Sequence, residues 1–349
     1  MTKEMKRFLI AVLRFHGDVL LTTPIINSIK RNYPNALIDV LVYEGTGVLL
    51  ENDSRVENIL EASISSELGF MKRILTELNL LNTLRKNKYD FGIFLTTQWR
   101  IALMGRVLNN VKTAAVDDKK RRTFLWTKSF SFIFPEAGNN HIIERNLRAL
   151  EILGITPKEE DFKLKINIPD NSKVFVERSL NEFLVKDKFC VMHPVSRRKS
   201  KQWSQDSFAV LADHYSKLGL KVVLTSGPNK EEINYLKGIC DLSKSVPINL
   251  GGKTSLYDLA ALIERANFFV GLDSVASHLA AAVNTKGVVL FGPSKQENWK
   301  PWSDRIRVIC RTKEEEYCKI HGHMEGKYKK CLCYISPERV IGEVDRLFN

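Results

Sequence analysis

The sequence predicts an α/β protein built of two doubly wound parallel sheets, and three observations carry that prediction. Apolar runs of about four to eight residues recur along the chain, with the uniform apolarity of strands buried on both faces. Amphipathic stretches with helical spacing lie between them, and this alternation of strand and helix is the order that produces a parallel sheet. After a charged, proline-bearing stretch between residues 154 and 170 the rhythm restarts, which predicts a second domain.

The first strand is predicted over residues 8–13, FLIAVL, and a helix from Val19 to about Tyr33. Gly17 supplies a permissive turn between them, and Asp18 sits at the joint. An acid there either caps the helix or faces a ligand, because ligands of open α/β sheets bind at the carboxyl ends of strands. Pro34 and Asn35 turn the chain into a second strand over 36–43. A helix from Thr46 and a short strand over 56–60 follow. A long amphipathic helix within 69–86 takes its apolar face from Leu68, Ile74, Leu75, Leu78, Leu81 and Leu84. A strand over 90–95 ends in Thr96, Thr97 and Gln98 before a helix from Trp99.

Between 116 and 134 the pattern breaks into a basic and aromatic loop. Lys119, Lys120, Arg121, Arg122 and Lys128 interleave there with Phe124, Trp126 and Phe130. That mixture suits a phosphorylated amphiphile or a membrane surface, or else a solvated turn beside a partly buried hairpin. A helix over 141–153 closes the first half.

In the second half, strands are predicted over 189–192, 221–225, 247–250, 267–271 and 287–291. Helices are predicted within 172–184 and over 206–218, 230–239, 255–266 and 275–283. A last helix over 337–348 is expected to pack back across the first domain. The expected division is therefore residues 1–165, 166–335 and a terminal helix over 336–349.

The chain has 349 residues and is 44% apolar, and 53 Lys and Arg against 40 Asp and Glu leave a net charge of +13. That surplus favours anionic partners such as phosphorylated sugars, nucleotides, anionic lipids or nucleic acid. The first apolar run stops at Leu13, too short for an export signal, and no run approaches the length of a membrane span. A cytoplasmic location is expected. Of the cysteines, Cys190 and Cys240 fall in predicted core segments. Cys310, Cys318, Cys331 and Cys333 cluster with His321 and His323, but Cys331 and Cys333 are one residue apart, not at the usual zinc-knuckle spacing, and no metal site is expected. GxGxxG after the first strand, GxxxxGK[ST], GxSxG and HExxH are all absent, which argues against dinucleotide oxidoreductases, Walker-type nucleotidases and the common hydrolases.

Two such domains with strand ends meeting in a cleft suggest a nucleotide-dependent enzyme. Four strand-to-helix turns of the second half are expected to point into it. The first, 193–203, carries Ser196 as a hydrogen-bond donor and Lys201 as a cation for phosphate. The second, 225–231, holds Gly227 and Glu231. In the third, 250–255, Gly251 and Gly252 let backbone approach a ligand and Ser255 caps the following helix. The fourth, 271–278, opens a helix with small residues at once after a strand, exposing backbone N–H groups suited to a diphosphate. His278 lies one turn into that helix, as a packing, capping or phosphate-binding residue.

These residues carry a resemblance. RFHGDVLLTTP at 14–24, KQW at 201–203, LTSGP at 224–228, LGGKTSLYDLAALI at 250–263 and GLDSVASHLAAA at 271–282 resemble the glycosyltransferase family 9 heptosyltransferases of lipopolysaccharide core synthesis, most of all those that add the branching heptose. The resemblance covers nearly the whole chain and departs around Val195 and Ser196, where a pair of threonines is usual. It implies a GT-B fold of two Rossmann-like domains facing across a cleft. It also implies an ADP-heptose donor held mainly by the second domain, a lipopolysaccharide core acceptor held mainly by the first, and inverting transfer without metal or cofactor. On that resemblance Asp18 matches the base, and Lys201, Ser196 and the helix opening at Ser274 match groups that stabilise the diphosphate. Gly227, Glu231, Thr254, Leu256, Asp273, Val275 and His278 complete the expected donor site. His16, Gly17, Gln98, Arg121 and Arg122 form the expected acceptor site. Peripheral contact with the cytoplasmic face of the inner membrane is expected too. The alternatives are a transferase of the same fold using another nucleotide sugar, and a nucleic-acid-binding protein. The latter is motivated by charge alone, and no nucleic-acid motif accompanies it.

Overall fold

The computed structural model describes residues 5–64, 69–108, 111–185, 188–310 and 332–348. The chain divides into two compact units, Met1–Asn167 and Ile168–Asn349.

The first unit runs β1 (Arg7–Val12), α1 (His16–Leu20), α2 (Thr23–Asn32), β2 (Leu37–Tyr43), β3 (Asn58–Ala62), α3 (Phe70–Lys86), β4 (Phe91–Phe94), α4 (Trp99–Val107), β5 (Lys112–Asp117), α5 (Phe124–Thr127), β6 (Phe132–Pro135) and α6 (Ile142–Leu147). Its six strands lie in the order β3-β2-β1-β4-β5-β6, and every pairing is parallel. β1 is central because Phe8 to Val12 are buried and apolar, so both faces of that strand can be covered. On one face Phe94, Ile101, Met104, Trp126 and Phe130 pack as a cluster, with the Trp126 and Phe130 rings 5.2 Å apart. At the amino edge Asp39 is fully buried. It accepts hydrogen bonds from Arg7 Nη2 at 2.9 Å, Asn58 Nδ2 at 2.9 Å and Tyr89 Oη at 2.6 Å, which satisfies its charge and pins β1 to β2 there.

The second unit runs α7 (Asp170–Glu182), β7 (Phe189–His193), α8 (Gln205–Lys217), β8 (Lys221–Leu224), α9 (Lys230–Leu242), β9 (Ile248–Asn249), α10 (Leu256–Arg265), β10 (Phe268–Leu272), α11 (Val275–Ala282), β11 (Gly287–Phe291), α12 (Gln296–Trp299), β12 (Ile306–Cys310) and α13 (Pro337–Asp345). Its six parallel strands follow the order β12-β11-β10-β7-β8-β9. Counted from the first strand of each unit, the two sheets have the same doubly wound order. The strand order therefore reverses between β1 and β4 in one and between β7 and β10 in the other, and ligands of such sheets bind at the carboxyl side of that reversal.

Several expectations are corrected. The helix expected from Val19 is two helices, because Pro24 has no N–H to give and the Thr22 and Thr23 hydroxyls bond the Val19 and Leu20 carbonyls at 2.7 and 2.9 Å. Gly17 lies inside α1, not in the turn. The segment after Thr46 forms only a 3₁₀ turn, Val48–Leu50. The stretch 116–134 is not merely a loop: β5 and β6 flank α5 and pair in parallel, so no hairpin forms. β12 is a sixth strand with no counterpart among the expected elements. Of the apolar residues expected on α3, Leu81 and Leu84 are buried, Ile74, Leu75 and Leu78 face solvent, and Leu68 lies outside the described residues. The last helix, α13, lies within the second unit, where Val340 and Val344 join the core. In the C-terminal cluster, Cys318, His321, His323 and Cys331 lie outside the described residues.

Candidate functional site

In the first unit the chain leaves β1, turns through Arg14 and enters α1, so Asp18 sits at the carboxyl edge of the central strand. Phe15, not Asp18, is the N-cap of α1 and makes no side-chain cap, so Asp18 serves the helix start only from within its first turn. Its carboxylate instead reaches back to the Phe15 backbone N–H and to Arg14 Nη1 at 3.4 Å. Burial pushes the Asp18 carboxyl above its ordinary value, and the charges of Arg14 and Arg145 oppose that shift. The result is an acid that holds a proton more readily than a free aspartate yet keeps two guanidinium groups within electrostatic reach.

Arg145 is the residue that sequence reasoning missed here. It is buried on α6 and donates to the Leu95 carbonyl at 3.0 Å, to Asn146 Oδ1 at 2.6 Å and to Glu136 at 3.3 Å. A charge inside the buried stripe of Ile142, Ile143 and Leu147 was its signal. His141 holds the helix in place: its ring accepts from the Ile143 N–H while Glu144 accepts from the His141 N–H.

The other expected acceptor residues share this edge. His16 opens α1, and burial lowers its pKa against an opposing hydrogen bond with the Thr46 backbone. Gly17 is adjacent in the same helix. The Gln98 side chain is engaged: Nε2 donates to the Leu13 carbonyl at 3.2 Å and Oε1 accepts from Tyr43 Oη at 2.8 Å, tying the ends of β1 and β2 to the start of α4. Arg121 pairs with Asp118 at 3.4 Å and lies over the Trp99 ring, and Arg122 pairs with Asp117 at 3.7 Å, both after the end of β5.

In the second unit the two sides of the strand reversal are joined directly. Ser196 Oγ, after β7, donates to the Asp273 carbonyl at 3.2 Å, and Lys201 Nζ lies 2.5 Å from Asp273 Oδ2 at the end of β10. Trp203 is not exposed to a ligand; it is buried and donates through Nε1 to the Ile335 carbonyl at 2.8 Å, which anchors the loop carrying Ser196 and Lys201. Beside it His193 shares a hydrogen bond of 3.0 Å with Thr225 Oγ1, and burial pushes its pKa down to about 4, so its ring is neutral.

Ser274 is the N-cap of α11 but makes no side-chain cap, and its buried hydroxyl has no hydrogen-bond partner among the described residues. The first-turn N–H groups of Val275 and Ala276 thus stand at a helix start without side-chain acceptors, the arrangement that receives phosphate oxygens. His278 is buried one turn on.

The turn holding Gly227 differs from expectation. Glu231 is exposed and pairs with Lys199 at 3.0 Å, whereas Glu232 folds back so that its carboxylate accepts from the Gly227 N–H at 2.9 Å. Nothing in the sequence separated these neighbouring acids. In the third turn Gly252 has a φ of +71°, and its N–H donates to the Ser226 carbonyl at 3.3 Å. Thr254 follows, and Ser255 forms a capping box with Asp258 that starts α10 at Leu256. Ser196, Lys201, Asp273 and Ser274 are thus drawn together around the reversal between β7 and β10, with the turns at Gly227 and Gly252 on the neighbouring strand ends.

The model of a family described as glycosyltransferase family 9 (heptosyltransferase) matches residues 78–329. Lipopolysaccharide heptosyltransferase 3 of Escherichia coli K12 is 36% identical over 337 residues, 96% of each chain. Among solved structures, the glycosyl transferase family 9 protein of Veillonella parvula superposes with a TM-score of 0.83 at 23% identity, covering 99% of this chain and 98% of that one. The Escherichia coli heptosyltransferase WaaC with ADP-2-deoxy-2-fluoro heptose gives 0.74 at 18% identity, covering 97% and 99%.

Proposed function

The chain belongs to glycosyltransferase family 9 and has the GT-B fold, and from that premise we propose that it transfers heptose from ADP-heptose to a heptose of the lipopolysaccharide inner core. The observation that carries this reading is the 36% identity with a lipopolysaccharide heptosyltransferase 3 across 96% of both chains.

The donor is held by the second unit. Val275 and Ala276 at the start of α11 give N–H groups to the diphosphate, Lys201 supplies the cation, and Asp273 accepts from a sugar hydroxyl. A cation and fixed backbone dipoles do for the departing ADP what a metal ion does in other transferases, so the transfer needs none. The acceptor is held by the first unit, with His16, Gly17, Gln98, Arg121 and Arg122 at the edge that carries Asp18. Asp18 takes the proton of the acceptor hydroxyl as its oxygen attacks the anomeric carbon. The bond from that carbon to the diphosphate breaks, and the electron pair leaves with ADP. A single displacement of this kind inverts the anomeric centre. Burial makes Asp18 a stronger base than a free carboxylate, and the charges of Arg14 and Arg145 oppose that shift by favouring its ionised form. Both substrates are anionic, which the net charge of +13 suits, and the work is done at the cytoplasmic face of the inner membrane.

The test is transfer from ADP-heptose to core lipopolysaccharide lacking its branch heptose, read by mass spectrometry, with UDP- and GDP-sugars as competitors and with chelator present. Gain of one heptose that persists in chelator is the expected result. Transfer from a UDP- or GDP-sugar in place of ADP-heptose overturns the donor assignment, and loss in chelator restored by a divalent ion overturns metal independence.

A further inference from the structure

Among the described residues, the outer face of three helices in the first unit carries large apolar side chains that stay exposed. α3, α4 and α5 pack side by side over one face of the sheet, joined by an Arg100–Glu77 ion pair and by Trp99 set edge-on to Trp126. Their inward residues fill the core, but Met71 is 67% exposed, Leu75 and Leu78 are each 56% exposed, and Phe124 is 73% exposed, with Trp99, Leu103 and Leu125 exposed beside them. The helical spacing of Met71, Leu75 and Leu78 continues the stripe that buries Leu81 further along α3. Large exposed apolar residues grouped on helices packed side by side mark an interaction site.

Charge decides what covers it. Residues 69–130 hold thirteen Lys and Arg against four Asp and Glu, so most of the net charge of +13 arises in this segment. The acids on this face, Glu77, Asp117 and Asp118, are each held by an arginine, while Lys72, Arg73, Lys119 and Lys120 stand exposed around the apolar residues. Two copies joined by this face would set the basic rim against itself. Nucleic acid stacks its bases on aromatic platforms, and here Trp99 and Phe124 are outnumbered by Met71, Leu75, Leu78, Leu103 and Leu125, whose aliphatic surface suits acyl chains better than bases. Apolar anchors ringed by Lys and Arg match the interface of an anionic bilayer, where the side chains enter the acyl boundary and the cations meet headgroup phosphates.

Position supports the same partner. α3 and α4 each begin at the carboxyl edge of the sheet, so their exposed first turns and α5 gather at the edge that carries Asp18. We infer that the outer face of α3, α4 and α5 docks the protein on an anionic lipid surface, bringing the acceptor end of the first unit to the membrane. This deepens the membrane contact of the proposed function and rests on that reading only for the lipid-bound acceptor.

The test is flotation of the full chain with vesicles of phosphatidylglycerol and phosphatidylethanolamine, against vesicles of phosphatidylcholine. Capture by the anionic vesicles alone, weakened by salt, is expected. Leu75→Ser with Leu78→Ser, Phe124→Ser with Leu125→Ser, and Lys119→Glu with Lys120→Glu should each lower the partition by about tenfold or more, since a surface Lys alone contributes about fivefold. Lys173→Glu on α7 should float as the unaltered chain does. Each variant should still transfer heptose to a core oligosaccharide stripped of its acyl chains, which separates loss of docking from failure of the proposed activity. Wild-type protein left unbound by anionic vesicles, or variants that float undiminished, would overturn the inference. So would a dimer or an RNA complex, lost in the Leu75 and Leu78 variant, in the absence of vesicle capture.

Discussion

Lys201 Nζ and Asp273 Oδ2 are 2.5 Å apart, so an ion pair spans the point where the strand order of the second sheet reverses. The Asp273 side chain is only 9% exposed, which makes the lysine both a candidate phosphate ligand and the partner that keeps a buried carboxylate satisfied. Lys201→Ala is therefore expected to weaken ADP binding by about tenfold to a hundredfold, read by calorimetry, and to cost about 1–3 kcal/mol of stability. Adding Asp273→Asn should recover most of the stability and none of the ADP affinity. Recovery of both would make the pair structural only.

Asp18→Asn keeps the side-chain oxygen that accepts from the Phe15 N–H but cannot take a proton. Turnover should fall by about a hundredfold to ten-thousandfold, with ADP affinity unchanged. Because the folded pKa of Asp18 lies above its unfolded value, the stability linked to its protonated form is present below the ordinary carboxylate range and is lost as pH rises through the folded pKa. The Asn variant should thus melt higher than the unaltered protein at neutral pH, and the gap should close in acid. Arg14→Ala removes an opposing charge and should move the acid limb of the rate profile to higher pH, modestly, since Arg14 is half exposed.

The central strands and the strand-end turns were legible because a buried parallel strand has an unmistakable composition and its carboxyl end is where ligands bind. The turns that carry Ser196, Lys201 and Ser274 follow from that rule, whereas Asp273 is assigned only by the family resemblance. β5 did not, because its Thr113 to Val116 run is short and its charged flank, 117–122, resembles a loop; its burial comes from β4 and β6 on either side. Arg145 and Glu232 lie on helices, where a charge is ordinarily solvated, and only the tertiary fold turns Arg145 into the core and Glu232 back to Gly227. The periodicity of α3 reports that one helix face is apolar without reporting what covers it.

His193 supplies a pH dependence of opposite sign. Its ring, bonded to Thr225, titrates at about 4 against an ordinary value of 6.5. A depressed histidine pKa gives stability that is complete above the unfolded value and is lost as pH falls through the window from 6.5 to about 4, roughly 3 kcal/mol in all. Denaturant titrations of the protein and of His193→Gln should diverge across that window, with the variant less sensitive. Parallel curves would mean that His193 is already protonated or solvated in the folded state.

Gly252 tests whether the third turn is held by backbone geometry. At φ +71° a side chain is disfavoured by about 1–2 kcal/mol, and a Cβ there would lie 2.7 Å from Ile233 Cδ1 on α9. The isoleucine tip can shift, but the left-handed backbone cannot relax without loosening the 3.3 Å bond from the Gly252 N–H to the Ser226 carbonyl. Gly252→Ala should therefore lower the melting temperature by several degrees, at about 1–2 kcal/mol, and weaken ADP-heptose binding along with it. Because Thr254 and Leu256 follow directly, a loosened turn displaces the expected donor groups at the start of α10 while leaving Lys201 and Asp273 in place. Binding of ADP alone should then suffer less than binding of ADP-heptose if the turn serves the sugar, and equally if it serves the nucleotide.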